Sequence, residues 1–119
     1  MEIHYDIWLD NEGKAFGDEC FRLLEAVEKA GSLNKAAAEM GLSYAGALRS
    51  LQRSERRLGF ALLERKIGGS SGGGSHLTPM AKELMARYRL FTEDLLYTIF
   101  HIYRRHFGGS AREKAGDRP

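Results

Sequence analysis

The amino-acid sequence predicts a mainly helical domain that carries small β-hairpins and ends in one long helix. Three observations support this class. Residues 31–59 hold two short helical patterns around one glycine, residues 2–10 alternate between apolar and polar side chains, and residues 79–107 repeat apolar side chains at heptad spacing. The chain has 119 residues, which is the size of one domain with a modest core.

The N-terminal segment, residues 2–10, has the period of two that is typical of a half-buried strand. One face would carry Ile3, Tyr5, Ile7 and Leu9. The turn signal at residues 10–13 and the segment 14–16 that follows predict a short hairpin. Trp8 falls on the polar face, where it either covers a partner surface or packs against a neighbouring helix.

The next helix is expected to run from Asp18 to about Ala30, with Asp18 as its cap and Gly31 at its end. Its apolar face would supply core, and no chemistry is assigned to it. Cys20 is the only cysteine of the chain, which excludes an internal disulfide and a cysteine-based zinc site. It lies beside Phe21 and is expected to be a small core residue.

Residues 31–59 are the stretch around which the rest of the chain is organised. Ser32 is a candidate N-cap for a helix over residues 34–40, Gly41 is expected to end that helix, and Ser43 is expected to cap the next one. Two short helices joined by a tight turn are typical of a helix-turn-helix, whose second helix lies in the major groove of DNA.

The second helix has an apolar stripe and a basic face. The apolar stripe consists of Leu48, Leu51 and Leu58, together with Tyr44 and Glu55. The opposite face carries Ala45, Gly46, Arg49, Arg53, Arg56 and Arg57. Arginine at such positions makes bidentate contacts to guanine or holds phosphate. The alternative is a solvated basic face on an ordinary helix.

The net charge of +2 conceals an asymmetry. Residues 1–31 carry eight acids against three bases, whereas residues 43–66 carry six bases against two acids. A basic region beside an acidic flank is typical of a protein that presents one side to a polyanion. The sequence shows no signal peptide and no long apolar run, so we expect a soluble cytoplasmic protein that does not enter a membrane.

A glycine-serine segment, residues 68–75, separates two strand-like segments at residues 61–67 and 75–78. Three interpretations compete for it. A phosphate-binding loop of an NTPase requires a Gly-Lys-Ser/Thr sequence that is absent, whereas a flexible linker fits the composition. The third interpretation is a wing, a hairpin tip that lies along the DNA backbone, and the flanking strands favour it. Its phosphate contacts would come from Lys66, Ser70, Ser71 and His76.

Residues 79–107 predict one long helix, with Thr78 as its cap and Pro79 at its first position. Such a helix would span about 43 Å, so its far end would expose an apolar stripe, which predicts a homodimer. The alternative is a helix that breaks and folds back. The dimer interface is assigned to Leu84, Tyr88, Phe91, Leu95, Ile99 and Ile102. Residues 108–119 are small, charged and unpatterned, and are expected to form a disordered tail after a domain of residues 1–107.

Enzymatic chemistry has no recognisable basis in the sequence. It contains no paired nucleophile and base, no cluster of metal ligands and no cofactor fingerprint. His101 and His106 are five residues apart, so they do not share a helical face as a metal pair would. We therefore expect no enzyme, no cofactor and no metal site.

Several segments carry a family resemblance. Three of them resemble the winged helix-turn-helix domain of LysR-type regulators: Gly31-Ser32-Leu33 through Leu58-Gly59, Leu62-Leu63-Glu64-Arg65, and Leu77-Thr78-Pro79. Three further features are more similar to the DNA-binding domain of the molybdate-responsive, ModE-type repressors: the Ser43-Tyr44 pair, the glycine-rich wing at residues 68–74 and the strand-rich N-terminus. The resemblance covers residues 2–97.

This resemblance implies a dimeric transcription regulator that binds a palindromic operator on double-stranded DNA, with the wing on phosphates. It places six residues against the bases: Ser43, Tyr44, Ala45, Gly46, Arg49 and Arg53. It also implies a link to molybdenum or tungsten metabolism. The full-length molybdate-responsive proteins carry a further oxyanion-binding domain after the long helix, so molybdate binding is not expected in this chain. The alternatives are a winged-helix protein-interaction module and a DNA-binding subunit that needs a separate sensor partner.

Overall fold

The computed structural model describes residues 1–65 and 74–108. The elements, in chain order, are β1 (Trp8–Asp10), β2 (Lys14–Gly17), α1 (Asp18–Ala30), α2 (Leu33–Glu39), α3 (Tyr44–Leu58), β3 (Leu63–Arg65), β4 (Ser75–Leu77) and α4 (Pro79–Tyr103). A π-helical turn over Arg104–Gly108 follows α4. The predicted class, mainly helical with small antiparallel hairpins, is confirmed. No helix in these described ranges is long and apolar enough to cross a membrane.

The described residues group into two compact units, one within Asp6–Glu83 and a second one formed by Met1–Tyr5 with residues 84–108. The first unit is built around α1, which packs against α2, α3, β2 and β4. Apolar side chains from every element of this unit except β1 and β3 are buried. They are Ala15, Phe16, Cys20, Leu23, Leu24, Val27, Leu33, Ala36, Ala37, Ala47, Leu51, Leu77 and Ala81, together with Leu62 from the segment before β3.

The N-terminal hairpin is shorter than predicted. Trp8 pairs with Gly17 and Leu9 with Phe16, so only the last three residues of the predicted strand 2–10 are a strand. The reason is that β2 ends where α1 begins, which leaves the residues before Trp8 without a partner strand. Tyr5 and Leu9, which were expected on a half-buried face, are exposed.

The start of α1 also differs from the prediction. Its N-cap is Gly17, which makes no side-chain cap, so the prediction of Asp18 as the cap was wrong. Asp18 is instead the first helical residue, and its carboxylate accepts a hydrogen bond from Nε of Arg22 at 2.8 Å. A carboxylate in the first turn is also favourable next to the positive end of the helix dipole.

The predicted helix-turn-helix is confirmed, including both caps. The Ser32 hydroxyl accepts from the amide of Lys35 at 3.1 Å, and the Ser43 hydroxyl accepts from the amide of Gly46 at 3.0 Å. Gly41 lies in the turn between the two helices with a φ of 72°. These bonds satisfy amides that the first turn of each helix leaves unpaired, and they fix where α2 and α3 begin.

The buried side of α3 is only partly the predicted one. Leu51 is buried as expected, but Leu48 and Leu58 are half-buried. The remaining buried positions are Ala47 and Ser54, which the leucine stripe did not predict. Small side chains at these two positions let α3 lie close to the elements beneath it, so core position here follows size more than hydrophobicity.

The second hairpin and the start of α4 agree with the sequence. Strands β3 and β4 are antiparallel, with Leu63 opposite Leu77, and they lie within the two predicted strand segments, 61–67 and 75–78. Residues 66 and 67 of the first segment lie outside the described residues. The Thr78 hydroxyl accepts from the Ala81 amide at 3.0 Å and donates to the Ala61 carbonyl at 2.8 Å. The predicted cap of α4 is therefore confirmed.

In the second unit, α4 continues without a break to Tyr103. The predicted helix over residues 79–107 is thus confirmed as far as Tyr103, and its last four residues belong to the π-helical turn. The Tyr103 hydroxyl donates to the carbonyl of Met1 at 2.6 Å. Of the predicted tail, Gly108 belongs to the π-helical turn, and residues 109–119 lie outside the described residues.

Candidate DNA-binding surface

The outer face of α3 is basic and exposed. It presents three arginines, Arg49, Arg53 and Arg56, together with Ala45 and Gln52. In residues 1–65 and 74–108, no carboxylate forms an ion pair with any of these three arginines. The N–H donors of each guanidinium are therefore available to an external acceptor. The planar arrangement of these donors suits a phosphate or a guanine.

The first turn of α3 divides the residues that the resemblance assigned to base contact. Ala45, Arg49 and Arg53 lie on the exposed face. The Ser43 hydroxyl is held by its capping bond to the Gly46 amide, and a Cβ at position 46 would lie only 2.9 Å from that oxygen. The Tyr44 hydroxyl accepts a hydrogen bond from Nη2 of Arg65 at 2.7 Å, so this ring is fastened to strand β3 beside the exposed face.

One flank of α3 carries the β3–β4 hairpin, which is the base of the predicted wing. The Glu55 carboxylate accepts from the backbone amides of Leu62 at 2.7 Å and Leu63 at 3.4 Å. The amide of Ser75 donates to the carbonyl of Gly31 at 3.0 Å, which ties β4 to the end of α1. A Cβ at Gly74 would lie 2.6 Å from that carbonyl oxygen, so only glycine allows this approach.

The residues predicted to contact phosphate from the wing are only partly described. His76 lies on β4, exposed, with its Nε2 atom 3.5 Å from the carboxylate of Glu64 on the neighbouring strand. Lys66, Ser70 and Ser71 lie outside the described residues. The wing contacts therefore stay a prediction.

The other flank of α3 carries the β1–β2 hairpin, and here the sequence analysis placed Arg57 wrongly. Its guanidinium does not join the exposed arginines but donates from Nη1 to the carbonyl of Lys14 at 3.0 Å. The Asn11 side-chain amide donates in return to the carbonyl of Arg57 at 2.7 Å. Gly13 makes this possible because its φ is 127° and a Cβ there would lie 2.5 Å from the guanidinium carbon.

Between this hairpin, α1 and α3 lies a cleft of about 300 Å³. It is lined by Lys14 from β2, by Glu19 and Cys20 from α1, and by Ser50, Arg53 and Arg57 from α3. Burial raises the pKa of Cys20 to about 11, so the thiol is protonated and unreactive at neutral pH. Sequence reasoning did not find this cleft, because its lining comes from three separate segments.

The exposed apolar side chains of α4 include two of the six predicted interface residues. Phe91 is 44 % exposed and Ile102 is 47 % exposed, whereas Leu84, Leu95 and Ile99 are half-buried. Tyr88 is only 5 % exposed in the single chain, so little of its surface remains for a partner. Within the described part of the chain, no group of three or more His, Cys, Asp or Glu residues is placed to hold a metal ion.

The comparison with known families gives a match over residues 19–82 to the family described as bacterial regulatory helix-turn-helix protein, lysR family. Curated relatives include the molybdenum transport protein ModE of Herbaspirillum seropedicae, which is 45 % identical over 69 residues. That match covers 58 % of this chain and 26 % of the relative. The molybdenum-pterin-binding protein MopB of Rhodobacter capsulatus is 38 % identical over 80 residues, covering 67 % of this chain and 30 % of the relative. The chain thus spans roughly a quarter to a third of the length of these relatives.

Solved structures of similar fold include complexes with DNA. The CbnR_DBD-DNA complex matches with a TM-score of 0.51 and 28 % identity, covering 63 % of this chain and 80 % of that chain. The BenM_DBD/catB site 1 DNA complex matches with a TM-score of 0.56 over 80 % of this chain and 97 % of that chain, and at 22 % identity it shows the fold alone. The resemblance to LysR-type and ModE-type regulators drawn from the sequence is confirmed.

Proposed function

This chain belongs to the lysR family of bacterial regulatory helix-turn-helix proteins, and we propose that it recognises a specific operator by placing α3 in the major groove of double-stranded DNA. The observation that carries the proposal is the exposed face of α3. Three arginines share that face without a carboxylate partner in the described residues, and a small residue, Ala45, stands near its start. A small side chain there lets the helix backbone come near the base edges, and Arg49, one turn further on, is within reach of guanine.

The other contacts proposed for this interface follow the same geometry. Ser43, Tyr44 and Gly46 place and orient the first turn of α3, and Arg53 reaches a base or a phosphate beside Arg49. The wing would lie along the backbone through Lys66, Ser70, Ser71 and His76. Backbone contacts of this kind fix the register of a protein on DNA but carry no direct sequence information.

We further propose that the protein is a homodimer in which α4 of one copy packs against α4 of the other. Exposed Phe91 and Ile102 share one helical face with the half-buried Leu95. A soluble protein rarely leaves a continuous apolar surface of this kind uncovered. A two-fold dimer would bind a palindromic operator, because its two recognition helices then meet equivalent half-sites.

The two curated relatives named above carry molybdenum in their names, and we propose that the regulated genes serve molybdenum handling in the cytoplasm of a bacterium. DNA binding by this chain is expected not to depend on molybdate. By sequence, residues 68–75 are rich in glycine and serine, whose backbone amides and hydroxyls suit an oxyanion, and we assign this segment to DNA phosphate.

The test of sequence recognition is selection of bound sequences from random duplex DNA, followed by titration of the selected operator. We expect Arg49→Ala to weaken binding to that operator by about 1–3 kcal/mol, the usual value of a bidentate base contact. Arg22→Ala is the matched control, because Arg22 is also exposed but lies on α1 and bonds to Asp18. Equal operator affinity for the wild type and Arg49→Ala would overturn the proposed orientation of α3.

The test of the dimer is light scattering at micromolar concentration. Changing Phe91 and Leu95 together to Asp should give half the wild-type mass, because unpaired charges in an apolar interface cost several kcal/mol. Leu90→Asp is the control, since Leu90 is 65 % exposed and lies on a different helical face. A wild-type protein that is already monomeric would remove the basis of this part of the proposal.

A further inference from the structure

Two antiparallel hairpins bracket the basic face of α3. On one side, Glu55 and Tyr44 of α3 are bonded to the β3 segment at the base of the wing. On the other side, Arg57 of α3 is bonded to the carbonyl of Lys14 on β2. The β1–β2 hairpin therefore lies on the flank of α3 opposite to that of the β3–β4 strands.

The chemistry of this second flank is that of an anion-binding surface at its outer part. Lys14 and Arg53 are both exposed and line the same cleft, and Ser50 of α3, which also lines it, adds a hydroxyl. The inner part of the cleft is different, because Cys20 is buried and its thiol is neutral. The carboxylate of Glu19 also lines the cleft.

We propose that the β1–β2 hairpin is a second DNA-backbone element, in which Lys14, with Arg53 and Ser50, binds a phosphate on the strand opposite to the one the wing follows. A major groove about 12 Å wide is filled by one helix and is bounded by a phosphate backbone on each side. An element on each flank of the recognition helix therefore meets one backbone each.

The composition of the cleft favours a phosphodiester of DNA over a small free oxyanion. A free oxyanion needs a closed set of donors. Here the Glu19 carboxylate shares the cleft with the basic side chains of Lys14 and Arg53. A backbone phosphate carries one negative charge and needs only the exposed outer edge of the cleft, where Lys14 and Arg53 supply two positive charges against the single carboxylate of Glu19.

The position of Lys14 is set by its neighbours. Its carbonyl is held by Arg57, and its ammonium group lies 5.2 Å from the centre of the Trp8 ring across the hairpin. Trp8 is 45 % exposed, so part of its ring is packed and part faces solvent. This exposure agrees with a cation–π contact that holds the Lys14 ammonium group at the surface. Arg57 is a positioning residue in this arrangement and does not itself contact the phosphate.

This inference rests on the proposed function, since it requires α3 in the major groove, and the experiment separates the two. Binding of the selected operator is measured over a range of salt for the wild type, Lys14→Gln and Lys14→Arg. The matched control is Arg22→Gln, which makes the same change in charge on α1 outside the cleft. Circular dichroism and the melting temperature confirm that each variant is folded.

Each phosphate contact contributes about 0.9 to the slope of log affinity against log salt concentration. Between about 50 and about 200 mM salt, the wild type should therefore lose about 3.5-fold more affinity than Lys14→Gln for each contact removed. The loss should be the same for operator and random duplexes, and Lys14→Arg should keep the wild-type slope. Arg22→Gln should also keep it.

Ethylation interference locates the phosphate. Wild-type binding should be blocked by ethyl groups on phosphates of both backbones of the half-site. Binding by Lys14→Gln should no longer be affected by ethyl groups on one of the two backbones, and it should remain sensitive on the other. The inference would be overturned if Lys14→Gln kept the wild-type salt slope and the wild-type interference pattern. If Arg49→Ala still weakened operator binding in that case, the proposed function would stand. Saturable binding of inorganic phosphate or molybdate that Lys14→Gln abolishes, without any effect on the DNA slope, would also overturn the inference.

Discussion

The two hairpins that flank α3 have the same topology but are attached to it by opposite chemistry. The wing base is held by an acceptor, the Glu55 carboxylate, which receives the amides of Leu62 and Leu63 in a partly buried site. The N-terminal hairpin is held by a donor, the Arg57 guanidinium, which bonds to the carbonyl of Lys14 at the surface. One helix thus uses one charge of each sign to position its two flanks, and its three other exposed arginines remain available for DNA.

The Glu55 bonds are partly buried and the Arg57 bond is at the surface, so the two hairpins should be attached to α3 with different strength. A partly buried amide that loses its charged acceptor is rehydrated only in part, so part of the desolvation cost remains. A surface carbonyl that loses its guanidinium partner is hydrated at once. The wing base should therefore be the rigid flank of α3, and the N-terminal hairpin the one that detaches first.

The largest effect is expected from Glu55→Ala. This substitution leaves the Leu62 amide without its acceptor and should lower the free energy of unfolding by about 1.5–3 kcal/mol, the range for hydrogen bonds to charged groups. Urea unfolding measures the change. Glu28→Ala on the exposed face of α1 is the control and should stay within about 0.5 kcal/mol of the wild type. A loss at Glu55 no larger than at Glu28 would contradict the proposed asymmetry of the two flanks.

How well a feature could be predicted from the sequence depends on how far apart in the chain its residues lie. Features fixed by neighbours a few residues apart were predicted correctly: the caps at Ser32, Ser43 and Thr78, and the long helix that follows Pro79. Each cap depends on a side chain and a backbone amide within one helical turn. The helix-turn-helix follows from these local features, and so does the exposed position of Arg49.

Features fixed by contacts between distant segments were not predicted. Arg57 has the same local pattern as Arg53 and Arg56, and only the approach of β2, more than forty residues earlier in the chain, takes it away from the exposed face. The N-terminal strand was too long in the prediction because alternation in residues 2–7 says nothing about the partner strand. The cleft beside Lys14 was missed for the same reason.

A second test uses the cysteine beneath the weaker flank. Burial raises the pKa of Cys20 to about 11, whereas an unfolded thiol ionises near about 8.5. The raised pKa means that this contribution to stability is complete below about pH 8.5 and is lost as the pH rises through about 11. The wild type should therefore lose about 2.5 kcal/mol more than Cys20→Ala between these pH values. Parallel pH profiles of the two proteins would show that the thiol is not held under a closed hairpin.

The smallest effect on stability, and the most direct test of the comparison, is expected from Arg57→Met. Methionine keeps an apolar stem of similar length but cannot donate to the Lys14 carbonyl, so the free energy of unfolding should fall by only about 1 kcal/mol. The N-terminal hairpin should nevertheless open more often, because this bond is one of the two that attach its turn to α3. Cys20 lines the cleft under that hairpin and is the only cysteine of the chain, so its rate of reaction with a thiol reagent reports the opening. Arg57→Met should raise that rate several-fold at pH 8, whereas Arg56→Met, on the exposed face of the same helix, should leave it unchanged. Equal rates in both variants would mean that the hairpin is held by the packing of β2 alone and that the guanidinium bond contributes nothing to its position.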